Sequence, residues 1–301
     1  MNTLNDGLTR RDFLKHATSA TLAGASVAAL GQEAQRAIST AGKSTVVLVR
    51  DVQVLDGDRK VQADVLSRMF DDALTTLTGE KDPVAACKRL VQPTDTVGIK
   101  TNVWQFLATP PELEAAIKRR VMDAGVPEDR IGIDDRGVLQ NPIFQQATAL
   151  INVRPMHTHH WAGVGSCLKN YIMFSDNPPS WHDDSCANLA GLWDLPIVKG
   201  KTRLNVLVML TPLFHGKGPH HFQLKYTWEY KGLIVGTDPV AVDATGLRIL
   251  EAKRKAFFET DEPFAIPPKH IRVAQDKFGL GIADPERINL IRLGWAEEIL
   301  I

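Results

Sequence analysis

Residues 96–134 read TVGIKTNVWQFLATPPELEAAIKRRVMDAGVPEDRIGID, and this stretch decides the fold class. Thr96–Lys100 is a short apolar run of the kind that makes a buried strand. Thr109-Pro110-Pro111 opens a helix that Gly125 closes. Proline is tolerated in the first helical turn, and glycine supplies the left-handed residue past the last. Arg130–Asp134 is then a second short strand. Strand, helix, strand is the unit from which parallel sheets are built.

The same alternation extends outward. Upstream, Thr45–Val49 is a β-branched run, and Asp64–Leu77 sets Leu66, Phe70, Leu74 and Leu77 at helical spacing. Asp82-Pro83 caps a helix reaching Leu90. Downstream, Ala149–Val153, Arg203–Leu210, Gly232–Val235 and Ile288–Leu293 are strands. Asp238-Pro239 caps a helix running towards Phe257, and Pro267-Pro268 opens one that Gly279 ends. The expectation is an α/β fold over 44–301, with a largely parallel or mixed sheet, helices on both faces, and a candidate meeting point of two lobes near residue 150.

Thr9-Arg10-Arg11-Asp12-Phe13-Leu14-Lys15 precedes an uncharged small-residue stretch from Ala17 to Leu30. Those 14 residues fall short of the roughly 20 that span a bilayer. They fit the apolar region of a twin-arginine signal over 1–37, with cleavage between Gly31 and Ala37. The expected location is periplasmic or exported, the expected partner the twin-arginine export machinery, and the mature form has no stable membrane span. With 35 basic and 35 acidic residues there is no electrostatic case for nucleic acid. The three cysteines, Cys87, Cys167 and Cys186, include no C-x-x-C pair, so no iron–sulfur cluster is expected. A Cys167–Cys186 bridge is open in an oxidising compartment.

From Arg154 to Thr202 the periodicity lapses and His, Trp, Asn and Gly accumulate. A long loop of this kind in a compact domain is usually functional or disordered, and its aromatics and histidines argue against disorder. His157-Thr158-His159-His160 puts three imidazoles in four residues. His157 and His159 would share a face if extended, and imidazole is the commonest metal ligand. His182 follows, and His215 and His220 flank a Gly-Lys-Gly-Pro loop after a strand. The metal candidates are therefore His157, His159, His182, His215 and His220, for nickel or zinc. Lys169, set among small and apolar residues, is a candidate desolvated amine. Lys100 and Asn102 follow one strand, and Asp134-Asp135 another, where α/β folds keep their ligands. Asp238 caps the helix it precedes, but Asp243 has no such duty.

Ile99-Lys100-Thr101-Asn102, His157-Thr158-His159 with Ala162-Gly163-Val164, Leu168-Lys169-Asn170, Gly216–Pro219 and Gly236–Asp243 resemble, in order, the "domain of unknown function 362" family. Many of its members carry a ferredoxin-type cysteine module that this chain lacks. They more often have Lys-Thr-His where this chain has His157-Thr158-His159. The order His159, Ala162-Gly163, Lys169, His182 is more distantly similar to nickel-pincer lactate racemase. That resemblance implies Lys169 as cofactor tether, His182 as nickel ligand and His159 as acid/base. Lys100, Asn102, Lys169, Asn170 and Asp243 are the candidate cofactor-binding residues. The reading is an exported metal- or cofactor-dependent enzyme acting on a small-molecule substrate, with His159 and Lys169 catalytic. The alternative is a non-catalytic metal-binding or redox-accessory protein of the cell envelope.

Overall fold

A computed structural model describes residues 42–218 and 221–301. The expected signal peptide and His220 lie outside the described residues. Eight strands form one mixed sheet: β1 (Ser44–Arg50), β2 (Val97–Lys100), β3 (Ile131–Asp134), β4 (Ala149–His159), β5 (Gly163–Gly165), β6 (Thr202–Leu213), β7 (Gly232–Gly236) and β8 (Ile288–Gly294). Their order is β3-β2-β4-β6-β7-β1-β8, with β5 folded back on β4. β3, β2, β4 and β6 run parallel. β7 is antiparallel to both β6 and β1, and β8 parallel to β1. The expected α/β class, with helices on both faces, is what the chain adopts.

Helices α1 (Ala63–Thr78), α2 (Pro83–Lys88) and α3 (Pro111–Asp123) cover one face. The short α4 (Cys167–Asn170), the long α5 (Pro239–Phe258) and α6 (Lys269–Asp276) lie on the other. Val47 and Val49 join the first core and Val46 and Leu48 the second, as a period of two requires. Burial on both sides explains why the strands read as continuous apolar runs rather than as alternation. On α1 the helical stripe Leu66, Phe70, Leu74 and Leu77 is buried; each such side chain contributes about 1.5–3 kcal/mol.

The two Asp-Pro signals work as expected. Asp82 accepts from the Ala85 N–H, and Asp238 from those of Val240 and Ala241, each with proline in the first turn. α1 ends on Gly79 with φ 74°. One expectation needs correcting. β4 does not stop at Val153 but runs to His159, passing Pro155 through a register shift against β6. Its polar residues look loop-like in sequence, but they are buried and partnered. Cys167 and Cys186 form no bridge; all three cysteines are free and buried. Residue 150, the candidate meeting point of two lobes, lies inside β4, paired to both β2 and β6. Among the described residues no helix is long and apolar enough to cross a membrane.

Candidate functional site

The parallel strands β3, β2, β4 and β6 end side by side, so the polar segments that follow them converge. Register aligns Lys100 on β2 with Asn152 on β4, and Asn152 with Asn205 on β6. Their side chains make a buried polar row. Lys100 Nζ donates to Asp135 Oδ1 at 2.5 Å, to the Thr101 carbonyl at 2.8 Å and to Asn170 Oδ1 at 3.2 Å. Asn170 Nδ2 donates to the Lys100 and Val153 carbonyls and to Asn152 Oδ1. Asn152 Nδ2 donates to Asn205 Oδ1 and to the Cys167 carbonyl. Burial pulls the Lys100 ammonium down to about 8 against the pull of Asp135. Burial pushes the Asp135 carboxyl up, but Lys100, the Val103 N–H and Arg154 outweigh it and hold it below the usual range. This network pins α4 to the sheet.

Asp243, in the second turn of α5, fixes the other end of α4. It accepts from Ser166 Oγ at 2.6 Å and from the backbone N–H groups of Cys167 and Leu168 at 2.9 and 2.8 Å. Its duty is to cap a helix other than its own. Burial pushes its carboxyl up to about 6, against those three donors. Lys100, Asn170 and Asp243 thus have their polar atoms committed within the protein. Asn102 shapes its own loop: its side chain accepts from the Trp104 N–H, and its own N–H donates to Thr109 Oγ1.

Lys169 differs from these. It is 3% exposed, and its Nζ lies 3.1 Å from His182 Nε2. His182 Nδ1 faces the Pro179 carbonyl at 3.2 Å, which can only accept. Nδ1 therefore carries the proton and Nε2 accepts from the lysine. Tether and ligand of the distant resemblance are in direct contact. Burial pulls the Lys169 ammonium down to about 8, with Cys186 opposing and Arg154 adding to the shift. No carboxylate among the described residues pairs with it.

The partners of the other histidines fix their protons in the same way. His157 Nδ1 faces the Thr158 carbonyl at 2.7 Å, and its Nε2 accepts from Arg154 Nη2 at 3.3 Å. Burial, then Arg154, push this imidazole down to about 3. His159 Nδ1 accepts the Trp161 N–H at 3.1 Å, so its proton is on Nε2. Burial, followed by the charge of Lys169, pushes His159 far down as well. His159 is therefore a neutral hydrogen-bond donor near neutral pH. His215 Nδ1 accepts from Arg254 Nη1 at 3.0 Å, which also leaves its proton on Nε2.

This donor set does not fit a metal ion. The Nε2 lone pairs of His157 and His182 point at cations, and those of His159 and His215 are absent. Among the described residues no three His, Cys, Asp or Glu side chains form a group that could hold a metal. The expected site of His157, His159, His182 and His215 is divided between the buried centre and a cavity beyond it, and His220 is outside the described residues.

That cavity, of about 930 Å³, opens at the ends of β4 and β6 between His159, His215, Lys217, Glu262 and Phe264. The loop after β6 crosses β4 so closely that a Cβ on Gly218 would lie 2.1 Å from the Thr158 carbonyl, and its φ of 65° also favours glycine. On the side of His157, Trp104 covers the ring at a centroid distance of 4.8 Å.

Residues 126–248 match the model of a family described as Domain of unknown function (DUF362). No curated protein and no solved structure matches the chain. The DUF362 segment contains Asp135, Arg154, Lys169, His182, His215 and Asp243, so most of the buried centre lies within it. Lys100 comes before it, and His270 after it. Sequence reasoning missed Arg154, Asn152, Asn205 and His270. A single asparagine inside each of two apolar strands was a usable signal, since a buried amide needs partners. Nothing in the sequence marked Arg154 or His270. Arg154 Nε and both ring nitrogens of His270 are buried without a hydrogen-bond partner among the described residues.

Inside the DUF362 segment, Gly165 on β5 makes room for the His157–Arg154 pair. A Cβ there would lie 2.5 Å from His157 Cε1 and 3.0 Å from Arg154 Nη2. Gly165→Ala is expected to cost about 1–3 kcal/mol in chemical denaturation. A neutral result would mean that the histidine is free to move.

Proposed function

We propose that this chain is an enzyme acting on a small molecule, with Lys169 as its reacting amine and His182 as the proton partner. The observation that carries the reading is the isolation of Lys169. The amine is buried, has the His182 imidazole as its hydrogen-bond partner, and has no counter-charge among the described residues, whereas Lys100 in the same centre has Asp135. A buried ammonium without a carboxylate is costly, so this amine sheds its proton more readily than an exposed lysine and its lone pair becomes available. Such an amine adds to a carbonyl carbon while His182 Nε2 takes up the proton it sheds. Returning that proton to the oxygen gives the carbinolamine, whose remaining N–H proton then passes through the same imidazole to the hydroxyl, releasing water and leaving an imine. The arrangement equally suits an amine that tethers an organic cofactor.

The test is reductive trapping. The full chain is treated with glyoxylate and borohydride and then mapped by peptide mass spectrometry. The adduct is expected on Lys169 and absent from Lys169→Met. Adducts confined to exposed lysines would contradict the reading.

We also propose export to the periplasm or beyond. Support comes from Arg10-Arg11 with Phe13-Leu14-Lys15 ahead of the uncharged stretch. Changing both arginines to lysine is expected to leave the chain in the cytoplasm on cell fractionation, and exported protein is expected to begin between Gly31 and Ala37. Unchanged export of the double-lysine variant would refute the assignment.

A further inference from the structure

The cavity beyond His159 presents hydrogen-bond donors to its interior. The Trp161 N–H occupies Nδ1 of His159, and the Arg254 guanidinium occupies Nδ1 of His215. Both groups can only donate, so each neutral ring must carry its proton on Nε2. Both rings line the cavity, and neither Nε2 has a partner among the described residues. Lys217 lines the same space and is exposed, with no ion pair among the described residues. Among the described residues Glu262 is the one carboxylate in the lining, and Arg254 offsets it: Nη2 of Arg254 lies 3.6 Å from Oε1 of Glu262. The charge of Lys217 is left over. A wall of this kind complements an electron-rich ligand.

We infer that the cavity is a binding site for an oxyanion, a phosphate or carboxylate group, received by the Nε2–H groups of His159 and His215 and by Lys217. Hydrogen bonds from these donors to an ionised acceptor are of the charge-assisted kind. The site stands whether or not Lys169 reacts. If both hold, His159, which lines the cavity and lies within electrostatic reach of Lys169, joins the two.

The experiment is calorimetric titration of the full chain with inorganic phosphate and, separately, with acetate. Saturable binding of either supports the site, and the tighter of the two names the anion. His215→Phe and Lys217→Met, checked for folding by thermal melting, are each expected to weaken binding about tenfold. Lys217 is exposed, so its variant keeps the test decisive if His215→Phe melts early. Lys169→Met is expected to leave anion binding unchanged. Three results would overturn the inference: no saturable binding of either anion; binding untouched by both cavity variants; or binding lost in Lys169→Met alone, which would move the anion to the buried amine.

Discussion

Lys169→Met makes the chain more stable at pH 7, by about 1–3 kcal/mol, and removes its trappable amine. The sign follows from the lowered ammonium. In the unfolded chain a lysine side chain titrates at about 10.4, whereas burial holds Lys169 at about 8 in the folded chain. Between those values the unfolded chain binds more protons, so stability rises with pH across that window. Below it the full cost of the buried charge is present, and there the methionine variant gains most. The gain shrinks as pH rises from 8 towards the unfolded value. Denaturant titrations of both proteins at neutral and alkaline pH measure it. A variant destabilised at pH 7 would mean that the amine serves the fold. Functional residues that cost stability are a common mark of an active site.

The opposite outcome is expected a few residues away in the network. Asp135→Ala strands the Lys100 ammonium, which is fully buried, and is expected to cost about 3–5 kcal/mol. The loss should be read by urea denaturation, with the double variant Lys100→Met/Asp135→Leu recovering much of it, since the two side chains form one unit. A loss below about 1 kcal/mol for Asp135→Ala would show that Asn170 and the Thr101 carbonyl suffice for the lysine. The contrast between the two lysines is the reason for assigning structure to one and chemistry to the other.

Much of the scaffold was legible in the sequence because its signals are local. Asp82-Pro83 and Asp238-Pro239 announce helix starts through a side chain and a ring that act within three residues. Leu66, Phe70, Leu74 and Leu77 announce a buried stripe through spacing alone. The far half of β4 was not legible. Arg154, His157 and His159 carry polar atoms paired with each other, with the Thr158 carbonyl and with the Trp161 N–H, and a strand whose polar groups are satisfied only in the folded chain looks like a loop in isolation. Lys169 and His182 could be named as a pair from their order, but the commitment of Lys100, Asn170 and Asp243 to the framework could not. That depends on the register that sets Lys100, Asn152 and Asn205 in one row. The protons on the histidine rings depend on single backbone groups, such as the Trp161 N–H and the Pro179 carbonyl, which only the folded chain brings into place.

The ionisation of Lys169 tests the proposed chemistry most directly. Competitive acetylation of the full chain across the alkaline range, with each lysine followed by peptide mass spectrometry, gives a midpoint for every amine. Lys169 is expected to titrate at about 8, well below the exposed lysines. A midpoint for Lys169 at their ordinary value, about 10.4, would contradict the account.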